Sequence, residues 1–329
     1  MNPLPIAPQD RGFATSRLHT LDADEHAACL KEWGQCYDQL SAGRFEGWFE
    51  EYLFGNVQLF RERMNREVHE TGDPWVGSRT IAVPLEVEGS GRFFGERFDI
   101  DTIITLKGGE ALDFRTPPSH EILAITADAK ALNAYALTVE HRDIEAELNG
   151  SHTIPATPER SARLRAFLAT AMASLRETPE TLQHAQTRKE LEESVFGIVV
   201  RTVPESAARA TRPSARARQR LVAKARDYMR AHIDEPITVA DLCSALRVSR
   251  RTLQYGFHDA LDLNPVRFLR AMRLNGARRE LKHADPACDT VADIAARWGF
   301  WHLSHFATDY RSMFYELPSE TLRRSSAGT

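Results

Sequence analysis

The chain has 329 residues, enough for two domains of ordinary size, and its 42% hydrophobic and 27% charged residues are typical of a soluble globular protein. The sequence contains no run of 18 apolar residues and no apolar signal core near its start, so we expect neither a membrane span nor export. The net charge of -4 is uneven: residues 214–329 hold 19 Lys and Arg against 13 Asp and Glu, whereas residues 1–213 hold 23 against 33. A basic C-terminal third indicates a polyanionic partner at that end.

Residues 1–157 follow a pattern of short strands separated by turn residues. An early helix is predicted in the segment ADEHAACLKEWGQCYDQL, and Gly55-Asn56 predicts a hairpin turn between two apolar stretches, WFEEYLFG and VQLFRERMNREVHE. Three later strand segments are bounded by Gly, Pro or Asp: RTIAVPLEVEG, GRFFGERFDIDTIITLKGGE and HEILAITAD. Short strands at this spacing predict a β-sandwich or a small barrel.

Helical periodicity begins at Pro158 and continues to about residue 201. One apolar stripe is formed by Leu164, Phe167, Leu168, Ala171 and Leu175, and a second by Leu191, Val195, Ile198 and Val199. The stripes need a partner, either the β-unit or the same helices of a second subunit. We predict a helical dimerisation segment over residues 158–201 and a homodimer. Residues 202–217 are Arg-rich and poor in apolar residues, so they predict an exposed linker.

The last third of the chain contains an internal repeat. VADLCSALRVSRRTLQYGFHDAL (239–261) resembles VADIAARWGFWHLSHFATDYRSMF (291–314), with an offset of 52 residues in the first helix and 53 in the second. Each copy predicts a short helix, a turn and a longer helix, which is a helix-turn-helix motif. PVRFLRAMRLNGARREL (265–281) predicts a long helix that joins the two motifs.

The second helix of each motif has an apolar face and a polar face. The predicted inward residues are Leu253, Phe257, Ala260 and Leu261 in the first copy and Leu303, Phe306, Tyr310, Met313 and Phe314 in the second. The predicted outward residues are Arg251, Gln254, Tyr255 and His258, then Ser304, His305, Thr308 and Arg311. Arg and Gln can form paired hydrogen bonds with base edges. A polar face on one such helix is usually only solvated, but two matching faces in basic surroundings favour DNA recognition.

Residues 218–325 resemble the DNA-binding domain of the AraC/XylS family of bacterial transcription regulators. The matching segments are ITVADLCSALRVSRRTLQYGF, NPVRFLRAMRLNGARREL and VADIAARWGFWHLSHFATDYRSMFYELPSETLRR. The resemblance implies base contacts from Arg251, Gln254, Tyr255, Ser304, His305 and Thr308, and DNA-backbone contacts from Arg250, Thr252 and Arg311. The chain departs from the family pattern at Tyr255 and His305, where long basic or amide side chains are common, so the target sequence is not carried over.

The segment EWGQCYDQLSAGRFEGWFEEYLFGNVQLFRE (32–62) resembles the sensor domain of regulators of ethanolamine-utilisation operons. That resemblance implies a cupin-like β-domain, dimerisation helices and then the DNA-binding domain. It also implies an activator that responds to ethanolamine with adenosylcobalamin, binds operator DNA and contacts RNA polymerase. We therefore predict an α+β protein with a cupin-like β-barrel or sandwich sensor domain (1–157) and an all-α C-terminal domain with two helix-turn-helix motifs (218–325). We expect it to be a cytoplasmic transcription regulator and not an enzyme, with no catalytic residue.

Two other functions remain open from the sequence: a cupin-type metal-dependent enzyme fused to a DNA-binding module, and an architectural DNA binder without a ligand. His69, Glu70, His120 and Glu121 are the strand-region candidates for a metal, but their spacing predicts no metal site. The effector site is unassigned; candidate lining residues are Trp48, Trp75, Phe93, Phe94 and Phe98, and, for an amine, Glu50, Glu51, Glu86 or Asp113. The four cysteines lack zinc spacing and indicate a reducing compartment. Cys29 and Cys36 are expected to share a helical face as buried thiols.

Overall fold

A β-rich N-terminal domain precedes a helical C-terminal domain, as the sequence predicts. A computed structural model describes residues 13–150, 152–154, 156–204, 213–233, 237, 239–286, 288–300 and 303–325. The strands in these residues are β1 (Phe13–Thr20), β2 (Cys36–Gln39), β3 (Gly47–Phe54), β4 (Val57–Met64), β5 (Val68–Gly72), β6 (Ser78–Glu88), β7 (Gly91–Phe93), β8 (Glu96–Phe98), β9 (Ile103–Lys107), β10 (Leu112–Arg115), β11 (Ser119–Asp128) and β12 (Thr153–Ile154). They form a larger antiparallel sheet, in the order β1-β3-β4-β11-β6-β9-β12, and a smaller antiparallel sheet, in the order β2-β5-β10-β7-β8.

The larger sheet is buried on both faces because side chains alternate along each strand. Leu59 and Leu123 belong to a cluster with the helices of this domain, whereas Phe60 and Ala124 belong to a second cluster that includes residues of the smaller sheet. The predicted hairpin joins β3 and β4, and Gly55 adopts the positive φ (51°) that its turn requires. The two sheets therefore pack face to face, with helices covering the far side of the larger sheet.

Among its described residues, the N-terminal domain has five helices: α1 (Ala23–Ala27), α2 (Ala129–Val139), α3 (Ile144–Leu148), α4 (Pro158–Glu177) and α5 (Ala185–Thr202), with a 3-10 turn at Pro179–Gln183. The apolar stripes of α4 and α5 pack against the larger sheet. Leu164, Leu168 and Val195 are fully buried in one cluster with strand residues. The chain's own β-domain therefore covers these stripes, and the helical dimerisation segment and the homodimer stay predictions.

The C-terminal domain is a double helix-turn-helix unit. Its helices are α6 (Pro213–Ala231), α7 (Val239–Leu246), α8 (Arg250–Leu261), α9 (Pro265–His283), α10 (Val291–Arg297), α11 (Leu303–Phe314) and α12 (Pro318–Ser325). One hydrophobic cluster forms around α7 and α8 and another around α10 and α11, and α9 contributes to both. Across the described residues, no helix is long and apolar enough to cross a membrane.

Some local predictions were wrong. The helix expected over residues 23–40 ends at Ala27, because Glu32 and Gly34 both have positive φ and the chain then enters β2. Cys36 lies on that strand, so it does not share a helical face with Cys29. Helices α2 and α3 were not predicted within residues 1–157. The predicted linker is shortened by α6, which begins at Pro213; residues 205–212 lie outside the described residues.

Candidate nucleic-acid interface

Helix α8 presents the first predicted DNA-reading face. The Ser249 hydroxyl caps its start by accepting the backbone N–H of Thr252 at 3.1 Å. Leu253 and Phe257 are fully buried, so they fix the orientation of the helix against the rest of the domain. The opposite face is exposed and carries Arg251, Gln254, Tyr255 and His258. The Tyr255 side chain is 66% exposed, which is unusual for a tyrosine and leaves it available to a partner.

Helix α11 presents the second face. Phe306, Tyr310 and Phe314 are buried, and the exposed residues are those predicted: Ser304, His305, Thr308 and Arg311. Leu303 was expected to point inward but is 47% exposed at the first position of the helix. The Thr308 hydroxyl donates to the Ser304 carbonyl at 2.8 Å, so its oxygen remains free to act as an acceptor.

The surroundings of both helices suit a polyanion. Arg250, Thr252 and Arg311, the predicted backbone contacts, are all exposed. Helices α8 and α11 each carry one carboxylate, and both carboxylates are paired with arginine: Asp259 with Arg218 and Asp309 with Arg270. The two faces therefore present no unpaired acid to phosphate.

Helix α9 sets the separation of the two motifs. Asn264 caps it by accepting the backbone N–H of Arg267 at 2.8 Å. Its first half buries Phe268 in the first cluster, and its second half buries Leu281 in the other. Gly276 lets Trp298 approach closely, since a Cβ there would lie 2.0 Å from the indole ring. The two predicted recognition helices, α8 and α11, are thus attached to one continuous helix.

Known proteins resemble this part of the chain. A family described as a helix-turn-helix domain matches residues 242–324. The "Probable thc operon regulatory protein" of Rhodococcus erythropolis is 45% identical over 103 residues, 31% of this chain and 31% of that protein. The "XylDLEGF operon transcriptional activator 3" of Pseudomonas putida is 31% identical over 97 residues, 30% of this chain and 29% of that protein. Residues 213–325 are therefore similar to the helix-turn-helix domains of such regulators, and we call them the AraC-type domain.

A solved structure from Rhodopseudomonas palustris CGA009, of a probable AraC family transcriptional regulator, is 36% identical to this chain. The likeness covers 32% of this chain and 97% of that one, with a TM-score of 0.30. The chain spans less than a third of the length of the two relatives named above. The likeness to them therefore concerns the AraC-type domain alone.

The AraC-type domain is joined to the N-terminal domain by ion pairs between α9 and the start of the β-domain. We call the set Asp22, Asp24, Asp38, Arg278, Arg279 and Lys282 the ionic clasp. Arg279 bonds to Asp24 at 2.6 Å and to Asp38 at 2.8 Å, while Asp22 bonds to Lys282 at 2.7 Å and also pairs with Arg278. Burial alone would raise the pKa of Asp22, but the charges of Arg278 and Lys282 outweigh it, and this pKa lies below its ordinary value.

Gln39 connects the N-terminal domain to both the joining helix and the second motif. Its backbone N–H donates to Asn275 Oδ1 at 3.1 Å, and its side-chain amide donates to the Met313 carbonyl at 2.7 Å. The backbone N–H of Gly43 also donates to the Met313 carbonyl, at 3.1 Å. These bonds lie beside the ionic clasp and fix the N-terminal domain against α9 and α11 together.

The first motif is held by a second group of contacts. His69 Nε2 lies 2.8 Å from Asp113 Oδ1 and 3.4 Å from an Arg226 nitrogen of α6. The charges of His69 and Arg226 overcome burial and lower the pKa of Asp113. Arg230 of α6 donates to the Thr71 hydroxyl at 3.1 Å. The smaller sheet therefore contacts the first helix-turn-helix unit through β5 and β10.

An inner cavity of about 40 Å³ lies between the two sheets. Its wall is mainly apolar and aromatic and includes Trp33, Phe60, Phe93, Phe114 and Ile122. Glu62 and Glu70 are its two acidic lining residues, and sequence reasoning did not single out either as an effector contact. Glu70 stands between His69 and Thr71, and Glu62 between Arg61 and Arg63, so the local sequence offered no signal that either carboxyl faces a cavity.

The predicted effector and metal candidates mostly lie elsewhere. Phe93 lines the cavity, but Trp48 is 39% exposed on the outer sheet face and stacks on His19. The candidate carboxylates have other partners: Glu50 pairs with Arg176, Glu51 with Gln58, Glu86 with Ser119 and Asp113 with His69. His69 and Glu70 are adjacent on β5 and face opposite sides. Among the described residues, no group of three or more His, Cys, Asp or Glu is placed to hold a metal.

Proposed function

We propose that the protein is a sequence-specific transcription regulator, an activator, which binds operator DNA through its AraC-type domain and is controlled by a small-molecule effector. The observation that carries this proposal is the pair of exposed faces on α8 and α11, whose only two carboxylates are both paired with arginine. Two such helices spaced about one turn of DNA (~34 Å) would enter successive major grooves on one side of a duplex.

The test is selection of bound sequences from a randomised duplex library by the full-length protein. We expect a common sequence, and Gln254→Ala should weaken binding to it by ~1–3 kcal/mol while leaving binding to scrambled DNA unchanged, since no charge is lost. Gln186→Ala removes an equally exposed glutamine from α5 and serves as the matched control. Selection of no common sequence, or equal losses on both DNAs, would contradict sequence-specific recognition.

The contacts between domains support control by an effector. The ionic clasp and the His69–Asp113–Arg226 contacts join the N-terminal domain to both helix-turn-helix units. We propose that this docked state limits simultaneous use of both recognition helices, and that effector binding releases or reorients it. A ligand shifts such an equilibrium only by its difference in affinity for the two states, so operator DNA should in turn raise effector affinity.

Ethanolamine is the first effector to titrate, because the N-terminal segment resembles sensors of ethanolamine-utilisation regulators. The inner cavity admits a molecule of that size but not adenosylcobalamin, so we assign that cofactor no site. Failure of ethanolamine, alone or with adenosylcobalamin, to change operator affinity would remove this subgroup assignment and leave DNA binding untouched. RNA polymerase and a second copy of the chain are further proposed partners.

A further inference from the structure

The inner cavity contains a buried carboxyl oxygen that lacks a partner. Glu70 on β5 is 3% exposed and lines the cavity. Within the described part of the chain, Glu70 Oε1 has no hydrogen-bond partner. Buried polar atoms in native proteins are nearly always paired, so this unpaired oxygen at the cavity wall points to a group that completes it.

The charges around the cavity restrict what that group can be. Glu62, the other acidic lining residue, is already bonded to the Tyr37 hydroxyl at 2.8 Å and lies 3.2 Å from His26 Nε2. Burial and the negative charge of Glu62 raise the pKa of Glu70 well above its ordinary value. Glu70 offers an acceptor oxygen whether or not it is ionised. A carboxylate or phosphate ligand would instead meet negative charge in an apolar surrounding.

The size and wall of the cavity restrict the rest of the ligand. About 40 Å³ accommodates roughly three water-sized groups. Apart from a few polar side chains, the lining is aromatic and aliphatic, including Phe60, Phe93 and Leu112. A compact apolar body fits this wall better than a polyhydroxylated one.

We propose that the inner cavity binds a compact ligand with an apolar body and one hydrogen-bond-donating head group, an amide or an amine, which bonds to Glu70. The inference rests on the proposed function, because it names the chemical class of the effector. It assigns the unpaired Glu70 oxygen to recognition and excludes anionic effectors.

The position of the site explains how ligand binding affects the contacts with the AraC-type domain. Glu70 lies between His69 and Thr71 on β5, and those two residues contact Arg226 and Arg230 of α6. Gln35 also lines the cavity and immediately precedes β2, the strand paired with β5. Residues Asp38 and Gln39 of β2 contact α9. A ligand that moves β5 or β2 therefore moves residues of both interdomain contacts.

The experiment uses probes of similar size that differ in the head group: propionamide, n-propylamine, ethanolamine and propionate, each at millimolar concentration. Binding to the full-length protein is measured without DNA, by ligand-observed NMR and by the shift in melting temperature. We expect propionamide or n-propylamine to bind at least about tenfold more tightly than propionate, because only the first two donate to Glu70. Ethanolamine should bind more weakly than n-propylamine, because it lacks the apolar body.

Variants at position 70 separate the two head groups. Glu70→Leu should abolish binding of both donors and melt at the same or a higher temperature, because an apolar side chain of similar size replaces an unpaired carboxyl. Glu70→Gln keeps an acceptor oxygen but cannot ionise. If this variant still binds propionamide, the site accepts a neutral head group. If it loses only n-propylamine binding, the amine binds as a cation. Glu86→Gln, outside the cavity lining, is the matched control. Glu70→Met, which also lacks a carboxyl oxygen, provides a second variant if Glu70→Leu does not fold.

Equal binding of propionate and propionamide, no binding of either donor probe, or unchanged binding in folded Glu70→Leu would each overturn the inference. Tighter binding of ethanolamine than of n-propylamine would overturn the proposal that the ligand has an apolar body. Library selection tests the proposed function independently. If the donor probes bind but the protein selects no DNA sequence, the proposed function is refuted and the ligand class stands. If the protein selects a DNA sequence but binds no donor probe, the ligand class is refuted and the proposed function stands.

Discussion

Asp22 has two separable functions, and replacing it with Asn tests the ionic clasp without disturbing the local helix. Its Oδ1 caps α1 by accepting the backbone N–H groups of Asp24 and Glu25, at 2.9 and 3.1 Å. The same carboxylate pairs with Arg278 and Lys282 of α9. Asn caps helices as well as Asp does but carries no charge. Asp22→Asn should therefore weaken docking of the AraC-type domain while leaving α1 intact.

The size of the effect depends on which partners Arg278 and Lys282 retain after the substitution. Removing one partner of a buried ion pair costs ~3–5 kcal/mol when the other charge is left alone. The Arg278 side chain is only 10% exposed but retains Glu316 at 3.0 Å, and the Lys282 side chain is 23% exposed and can reach water. We therefore expect docking to weaken by about 2–3 kcal/mol, which corresponds to roughly 30- to 150-fold in the docking equilibrium.

Hydrogen exchange measures this directly, because the backbone amides of Gln39 and Gly43 donate across the interface. Their exchange should accelerate in Asp22→Asn, while amides in the larger sheet should not change. The pKa of Asp22 is depressed, so its contribution is complete above about pH 4 and is lost as the pH falls further; the variant and the wild type should converge there. Asp143→Asn, at the cap of α3, is the matched control. Unchanged exchange at Gln39 and Gly43, or faster exchange throughout the sheet, would refute the reasoning.

Three further outcomes are expected. Burial lowers the pKa of His120 to about 4, so the unfolding free energy should fall by up to ~3 kcal/mol as the pH drops from 6.5 towards 4. In urea titrations His120→Phe should remove that pH dependence. An identical pH profile in the variant and the wild type would count against this role of His120. Leu164→Ala should destabilise the N-terminal domain by ~2–5 kcal/mol without changing the sedimentation coefficient of the folded protein, since its stripe packs internally; a change of oligomeric state would show a dimer interface there. Residues 213–325 expressed alone should be helical by circular dichroism and bind DNA without responding to an effector, and an unfolded fragment would show that docking is needed for folding.

The exposed faces of α8 and α11 could be predicted because the signal is local. In α8 and α11 the helical period alone separates buried residues such as Phe257 and Tyr310 from exposed ones such as Gln254 and Ser304. Leu303 failed because the first turn of a helix has fewer packing neighbours than its interior. The double motif and the β-rich N-terminal domain followed from the same kind of pattern.

The cavity and the interface could not be predicted in the same way. Strands buried on both faces lose the alternation that separates core from surface, so Glu62 and Glu70 looked no different from Glu50, which pairs with Arg176 on the sheet's outer side. The uneven charge indicated attraction between the domains, but which Asp meets which Arg depends on how β2 and α9 come together. The early helix prediction failed because positive φ at Glu32 and Gly34 turns the chain into a strand.

The ionic clasp also restricts which sensors can be exchanged onto this AraC-type domain. Arg278 and Arg279 lie on the joining helix and are mostly covered by the N-terminal domain, and their carboxylate partners include Asp22, Asp24 and Asp38. If α8 and α11 read DNA as proposed, a chimaera with a foreign N-terminal domain would keep their specificity. It would inherit effector control only if the new domain presents carboxylates at equivalent positions. Compatibility between the two domains therefore depends on a few charged residues and not on the fold alone.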